Sequence, residues 1–86
     1  MDQDRQTRRA IRIQEKYNEQ LMALPNVVGT AVGLRKRQGQ FTDQVALVVM
    51  VARKLPRASL ATAELVPREL EGVPVDVLET GAFHSL

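Results

Sequence analysis

Apolar residues recur every three or four positions through the first part of the chain, at Ala10, Ile13, Tyr17, Leu21 and Leu24. That spacing places them on one stripe of an α-helix and predicts a helix over residues 4–23. No Gly or Pro interrupts the segment, Asp2 or Asp4 can cap its start by accepting a backbone N–H, and Pro25 marks its end. Glu15 and Glu19 oppose arginines on the polar face, which predicts local ion pairs worth about 0.2–0.5 kcal/mol each. The pattern then changes to strands over 26–37 and 44–54, joined at Gln38-Gly39-Gln40 by a turn in which Gly39 is free to take positive φ.

Alternation within these strands separates their faces. In the first, Val28, Thr30, Val32 and Leu34 share one face, while Gly29, Ala31 and Gly33 form a smooth strip on the other. In the second, Val45, Leu47, Val49 and Val51 share one face, and the opposite face, Ala46, Val48, Met50 and Ala52, is apolar as well. A strand apolar on both sides is either central in its sheet or covered by a partner. Gly29, Ala31, Gly33, Ala46, Val48 and Met50 are therefore the candidate interaction surface.

Beyond Leu55-Pro56 the pattern is irregular. Ser59 or Thr62 can cap a short helical turn around 60–65 that Pro67 ends, and Arg68–Gly72 reads as a turn into a third strand over 73–79. Val73, Val75 and Val77 alternate inward there, and Pro74 removes one ladder donor, which suits an edge or a strand's first residues. The expected architecture is α+β and two-layered: an N-terminal helix on a three-stranded, mainly antiparallel sheet, in the order α-β-β-short α-β. A right-handed crossover sets the third strand parallel to the second, with an expected strand order of 2-1-3. Residues 1–81 make one domain and 82–86 a tail.

Composition narrows the chemistry. With 44% hydrophobic residues and only Tyr17, Phe41 and Phe83 as aromatics, the core must be aliphatic. The absence of cysteine excludes disulfides, thiolate metal sites and cysteine nucleophiles. The polar N-terminus has no signal-peptide h-region and the longest apolar run, 45–52, is too short to span a bilayer, so no membrane association and a cytoplasmic location are expected. His84 is the only histidine and has no His or Cys to join it, while Ser59 and Ser85 lie outside any nucleophile-elbow pattern. Gly29-Thr30-Ala31-Val32-Gly33 lies inside a strand and lacks the Lys-Ser/Thr of a phosphate loop, so packing explains it better. The pairs Glu69/Glu71 and Asp76/Glu79 read as solvated surface. No catalytic residue, cofactor or metal is expected.

The net charge of +2 is small but uneven: Arg5, Arg8, Arg9 and Arg12 form a basic patch on the helix, while the last quarter of the chain is acidic. Such a patch suits phosphates, and a small nucleic-acid-binding domain is the alternative reading. Against it stand the lack of an aromatic stacking platform on the strands and of a Gly-x-x-Gly loop between helices.

Three stretches carry a resemblance: Leu24–Gly33; Ala46–Val51 with Lys54-Leu55-Pro56; and Val66–Glu79, in which Glu71-Gly72-Val73-Pro74-Val75-Asp76-Val77 is the most specific part. Over residues 20–81 the chain resembles the small domain found ahead of the catalytic domain in a group of bacterial trypsin-like serine peptidases and in the related plant narrow-leaf proteins. The resemblance implies a non-catalytic accessory domain with a folding, regulatory or oligomerisation role. Its partner would be a downstream peptidase domain or a second copy, and nothing here matches the family's catalytic His, Asp and Ser.

Overall fold

A computed structural model describes residues 2–54 and 65–81. Helix α1 (Asp2–Met22) is followed by strands β1 (Val27–Arg37), β2 (Gln40–Val51), β3 (Glu69–Leu70) and β4 (Val73–Glu79). The architecture is α+β, with one helix on one face of a four-stranded mixed sheet, one strand more than expected. The helix begins at Asp2, so Asp4 sits within its first turn rather than capping it. The helical turn expected around 60–65, with Ser59 and Thr62, lies outside the described residues except for Leu65, which is not helical, and Phe83, His84 and Ser85 lie outside them as well.

The sheet order is β1-β2-β4-β3, which corrects the expected 2-1-3 arrangement. β2 pairs antiparallel with β1 and parallel with β4, so the third long strand takes the second edge of β2. The reason lies in the side chains. β2 is apolar on both faces and gains most from neighbours on both edges, whereas the glycine-rich β1 has little to pack and is left at the margin. β3 adds two residues beside β4, with Leu70 opposite Val73 and Glu69 opposite Pro74. Pro74 precedes the β2–β4 ladder, which starts at Leu47 opposite Val75, so its missing N–H removes no bond from that ladder.

Val45, Leu47, Val49 and Val51 turn toward α1 and are buried with Ala10, Ile13, Leu21 and Val73; Tyr17, Leu24, Val32, Val75 and Val77 close around them. This core is aliphatic, as the composition requires. A bulge between Val27 and Gly29 alters the alternation in β1, so Val27 packs against the core, whereas Val28 had been expected on that face.

Two irregularities are closed by side chains. Between Leu34/Val45 and Lys36/Phe41 the β1–β2 register shifts, and the Thr42 hydroxyl donates to the Arg35 carbonyl at 2.9 Å. The amide of buried Val45 donates to Gln6 Oε1 of α1 at 2.9 Å. At the other end Asn26, at φ 75°, turns the chain from α1 into β1. Its side chain accepts from the Arg53 amide at 3.0 Å and donates to the Arg53 carbonyl, extending the hairpin without a strand.

Candidate interaction surfaces

Both tight turns of the sheet have an X-Gly dipeptide at positive φ, Gln38-Gly39 at 51° and 80° and Glu71-Gly72 at 49° and 85°. Paired positive φ values belong to the type I′ turn, whose twist suits a two-residue hairpin. Gln38-Gly39 projects into solvent. Glu71-Gly72 is held by α1: Glu71 Oε2 accepts from Lys16 Nζ at 2.6 Å and from the Tyr17 hydroxyl at 2.7 Å, and the Arg9 guanidinium donates to the Glu71 carbonyl. The hydrogen bonds from Lys16 and then Tyr17 hold the Glu71 carboxyl below its ordinary value. The bond to Glu71 raises both Lys16 and Tyr17.

This clasp borders the basic patch. Arg5, Arg8, Arg9 and Arg12 line one groove with Ile13 and Glu71, so the structure brings together all four arginines singled out in the sequence. It also divides them, because Arg9 is committed to the turn backbone while Arg5, Arg8 and Arg12 make no hydrogen bond or ion pair among the described residues. Among the described residues Glu15 and Glu19 form no ion pair with an arginine, contrary to expectation, and the one ion pair is Lys16 with Glu71, 55 residues apart in the chain.

The second surface is the sheet face away from α1. The register aligns Gly29 with Met50, Ala31 with Val48 and Gly33 with Ala46, so the six candidate residues form one two-strand patch. β4 extends it with Asp76 beside Val48 and Leu78, 44% exposed, beside Met50. Asp76 Oδ2 accepts from the Lys36 amide at 2.7 Å. That bond spans β2, so the β1–β2 hairpin beyond its register shift bends over this face. Ala46 is fully buried there, although it lies outside the helix-side core. Val48 and Met50 remain half-buried, with no helix laid over them among the described residues.

Among the described residues no three His, Asp or Glu side chains converge as a metal site, and no helix is long and apolar enough to cross a membrane. The Glu71 clasp escaped sequence reading. A carboxylate ahead of a glycine looks like surface, and only the Glu-Gly turn signal marked the place.

The NARROW LEAF 1 N-terminal domain family matches residues 7–79, from within α1 to the end of β4. The chain belongs to that family. It is 46% identical over 63 residues to Protein NARROW LEAF 1 of Oryza sativa subsp. japonica, a match covering 67% of this chain and 11% of the rice protein. The family match takes in both surfaces, except Arg5. The phrase Glu71-Gly72-Val73-Pro74 that carried the resemblance is the clasped turn with the start of β4.

Proposed function

We propose that this NARROW LEAF 1 N-terminal domain is a non-catalytic accessory module that serves a trypsin-like serine peptidase through protein contact, as a folding, regulatory or assembly element. The observation that carries the reading is the sheet face opposite α1. Gly29, Ala31, Gly33, Val48 and Met50 meet there in one apolar patch beside the buried Ala46, and the neighbouring charge on β4, Asp76, is already bonded to a backbone amide. Such a patch gains by being covered. The short match to a much longer rice relative supports a module that works beside other domains. The single histidine and the absence of cysteine support a role without bond-making chemistry.

The test mixes the 86-residue chain with the catalytic domain of a trypsin-like peptidase of the same family and follows co-elution and peptide hydrolysis. Binding is expected with wild type and lost with Val48→Asp, once circular dichroism shows the variant folded, because docking would bury an unpaired carboxylate. The chain alone should hydrolyse nothing. Peptide turnover by the chain itself, or binding indifferent to Val48→Asp, would reject the proposal.

The nucleic-acid alternative rests on Arg5, Arg8 and Arg12. It requires binding that falls steeply with salt and disappears when those three become Glu. It ranks second because Arg9 and Lys16 already serve Glu71, and the exposed Phe41 at the hairpin end is the one aromatic on the described strands.

A further inference from the structure

We infer that two copies of this chain join through the outer edge of β1, pairing Gly29–Gly33 antiparallel with the same residues of the second copy. Among the described residues β1 is the last strand of the sheet. Its end amides are used, Val27 on the Leu24 carbonyl and Lys36 on Asp76, but no backbone group from Val28 to Leu34 is bonded outside β2. Exposed sheet edges are normally blunted by charge, proline, brevity or a bulge. The opposite edge follows that rule, since β3 has two residues and carries Glu69. β1 follows it only at its ends. Its register shifts fall at Val27/Gly29 and Leu34/Lys36, and its charges begin at Arg35, so residues 28–34 are uncharged and free of proline.

The occupant is written into the strand. About Ala31 the side chains are arranged by size: Gly29 matches Gly33, Thr30 matches Val32, and Val28 matches Leu34. A two-fold axis through Ala31 therefore sets like sizes against each other, as an isologous contact requires.

The helix agrees with the same axis. Gln14 Nε2 donates to Thr30 Oγ1 at 2.9 Å, and the Thr30 hydroxyl donates to Asn18 Oδ1 at 2.6 Å, so the middle of α1 lies level with Ala31. Met22 borders the groove between α1 and the β1 edge, and Ile11 lies on the same helical stripe; they are 42% and 41% exposed. They flank the point level with Ala31 almost equally, so the axis brings Ile11 of one copy toward Met22 of the other. α1 rides over β1 and β2. With strands about 4.8 Å apart, the two helices would run antiparallel on one face at about 10 Å, a normal helix packing distance. The sheet would become eight-stranded.

This contact shares Gly29, Ala31 and Gly33 with the face proposed for a peptidase but uses their strand edge, whereas that face also needs Val48 and Met50 of β2, so the two can fail separately. Wild type should sediment at twice the 9.6 kDa of one chain. Ala31→Lys and Ala31→Glu should each abolish the dimer by facing like charges across the axis, and mixing the two variants should restore it. Met50→Lys, one strand inward, should leave the dimer intact. Should either charged variant not fold, Ala31→Cys tests the axis independently. The chain has no cysteine, so mild oxidation should link copies through position 31 and not through Gln40→Cys at the hairpin turn. A monomeric wild type, a dimer indifferent to Ala31→Lys, or no linking at position 31 overturns the inference.

Discussion

The two faces of β2 are built from alternate residues of one strand, yet they have opposite fates. Val45, Leu47, Val49 and Val51 are sealed beneath α1, with Leu47 and Val49 fully buried. Ala46, Val48, Met50 and Ala52 are equally apolar, but only Ala46, beneath the bent hairpin, is closed off. Hydrophobicity alone therefore does not say which face is core. The helix chooses, and its selection rests on polar contacts: Gln6 meets the Val45 amide, and Gln14 and Asn18 meet Thr30. Those bonds fix which side of the hairpin α1 covers and how far along it sits.

The sharpest way to break this contrast is to truncate neighbours on the two faces. Leu47→Ala should cost about 2–5 kcal/mol, from lost burial and the cavity left behind. Val49→Ala should cost about 1–3 kcal/mol on the same side. Val48→Ala, half-buried opposite them, should cost about 1 kcal/mol or less. Urea midpoints decide the matter, and equal losses at 47 and 48 would mean that both faces are covered in solution.

A somewhat smaller effect sharpens the role of the helix. Gln6→Ala strands the buried Val45 amide and should cost about 1–3 kcal/mol, the usual penalty for an unsatisfied buried donor. Amide hydrogen exchange at Val45 should accelerate more than at Leu47. Ala is a better helix former than Gln, so the loss cannot come from helix propensity, and amides that kept their original ratio would mean that Gln6 does not hold the Val45 amide in solution.

Next come the two turns. Gly39→Ala and Gly72→Ala each force a side chain into positive φ, costing about 1 kcal/mol or more. Nothing lies within 4 Å of a Cβ at Gly39, but at Gly72 it would lie 2.9 Å from Arg9 Nη2. Gly72→Ala should therefore unfold at the lower temperature of the two. A larger loss at Gly39 would mean that the clasp contributes nothing in solution.

The smallest expected effect is in pH dependence. Glu71 titrates below its ordinary value in the fold, so its contribution is present above the unfolded-state pKa and is lost as pH falls through the folded one. Lys16 titrates above its ordinary value, so its contribution is complete below its unfolded pKa and is lost as pH rises through the folded one. Glu71→Gln should flatten both limbs of a thermal-stability profile. Because both side chains are largely solvent-exposed, the change should also shrink with added salt.

Much of this fold was legible in the chain because its elements carry strong local periods. The helix stripe at Ala10, Ile13, Tyr17 and Leu21, the alternation through β2 and the inward valines of β4 each state their own facing. Strand order was not legible, because it depends on which edge of β2 a distant strand takes, and no local pattern records that choice. The bulge that moved Val27 inward and Val28 out of the alternation was hidden for a related reason: it is a property of the pairing, not of either strand alone. Of the candidate surfaces, the apolar patch was readable residue by residue, and the arginine groove through helical spacing. The link from Lys16 and Tyr17 to Glu71 was not, since it joins groups more than fifty residues apart.

Tyr17 is the only tyrosine in the chain and there is no tryptophan, so the near-ultraviolet signal of the fold is dominated by one phenol. Its hydroxyl donates to a carboxylate carried by the β3–β4 turn. A phenol bonded to a carboxylate absorbs at longer wavelength and emits more weakly than one bonded to water. The chain thus has a built-in optical probe of a single event, the docking of the β3–β4 hairpin against α1. Recovery of far-ultraviolet helix signal ahead of Tyr17 quenching during refolding would time the arrival of that hairpin without any label.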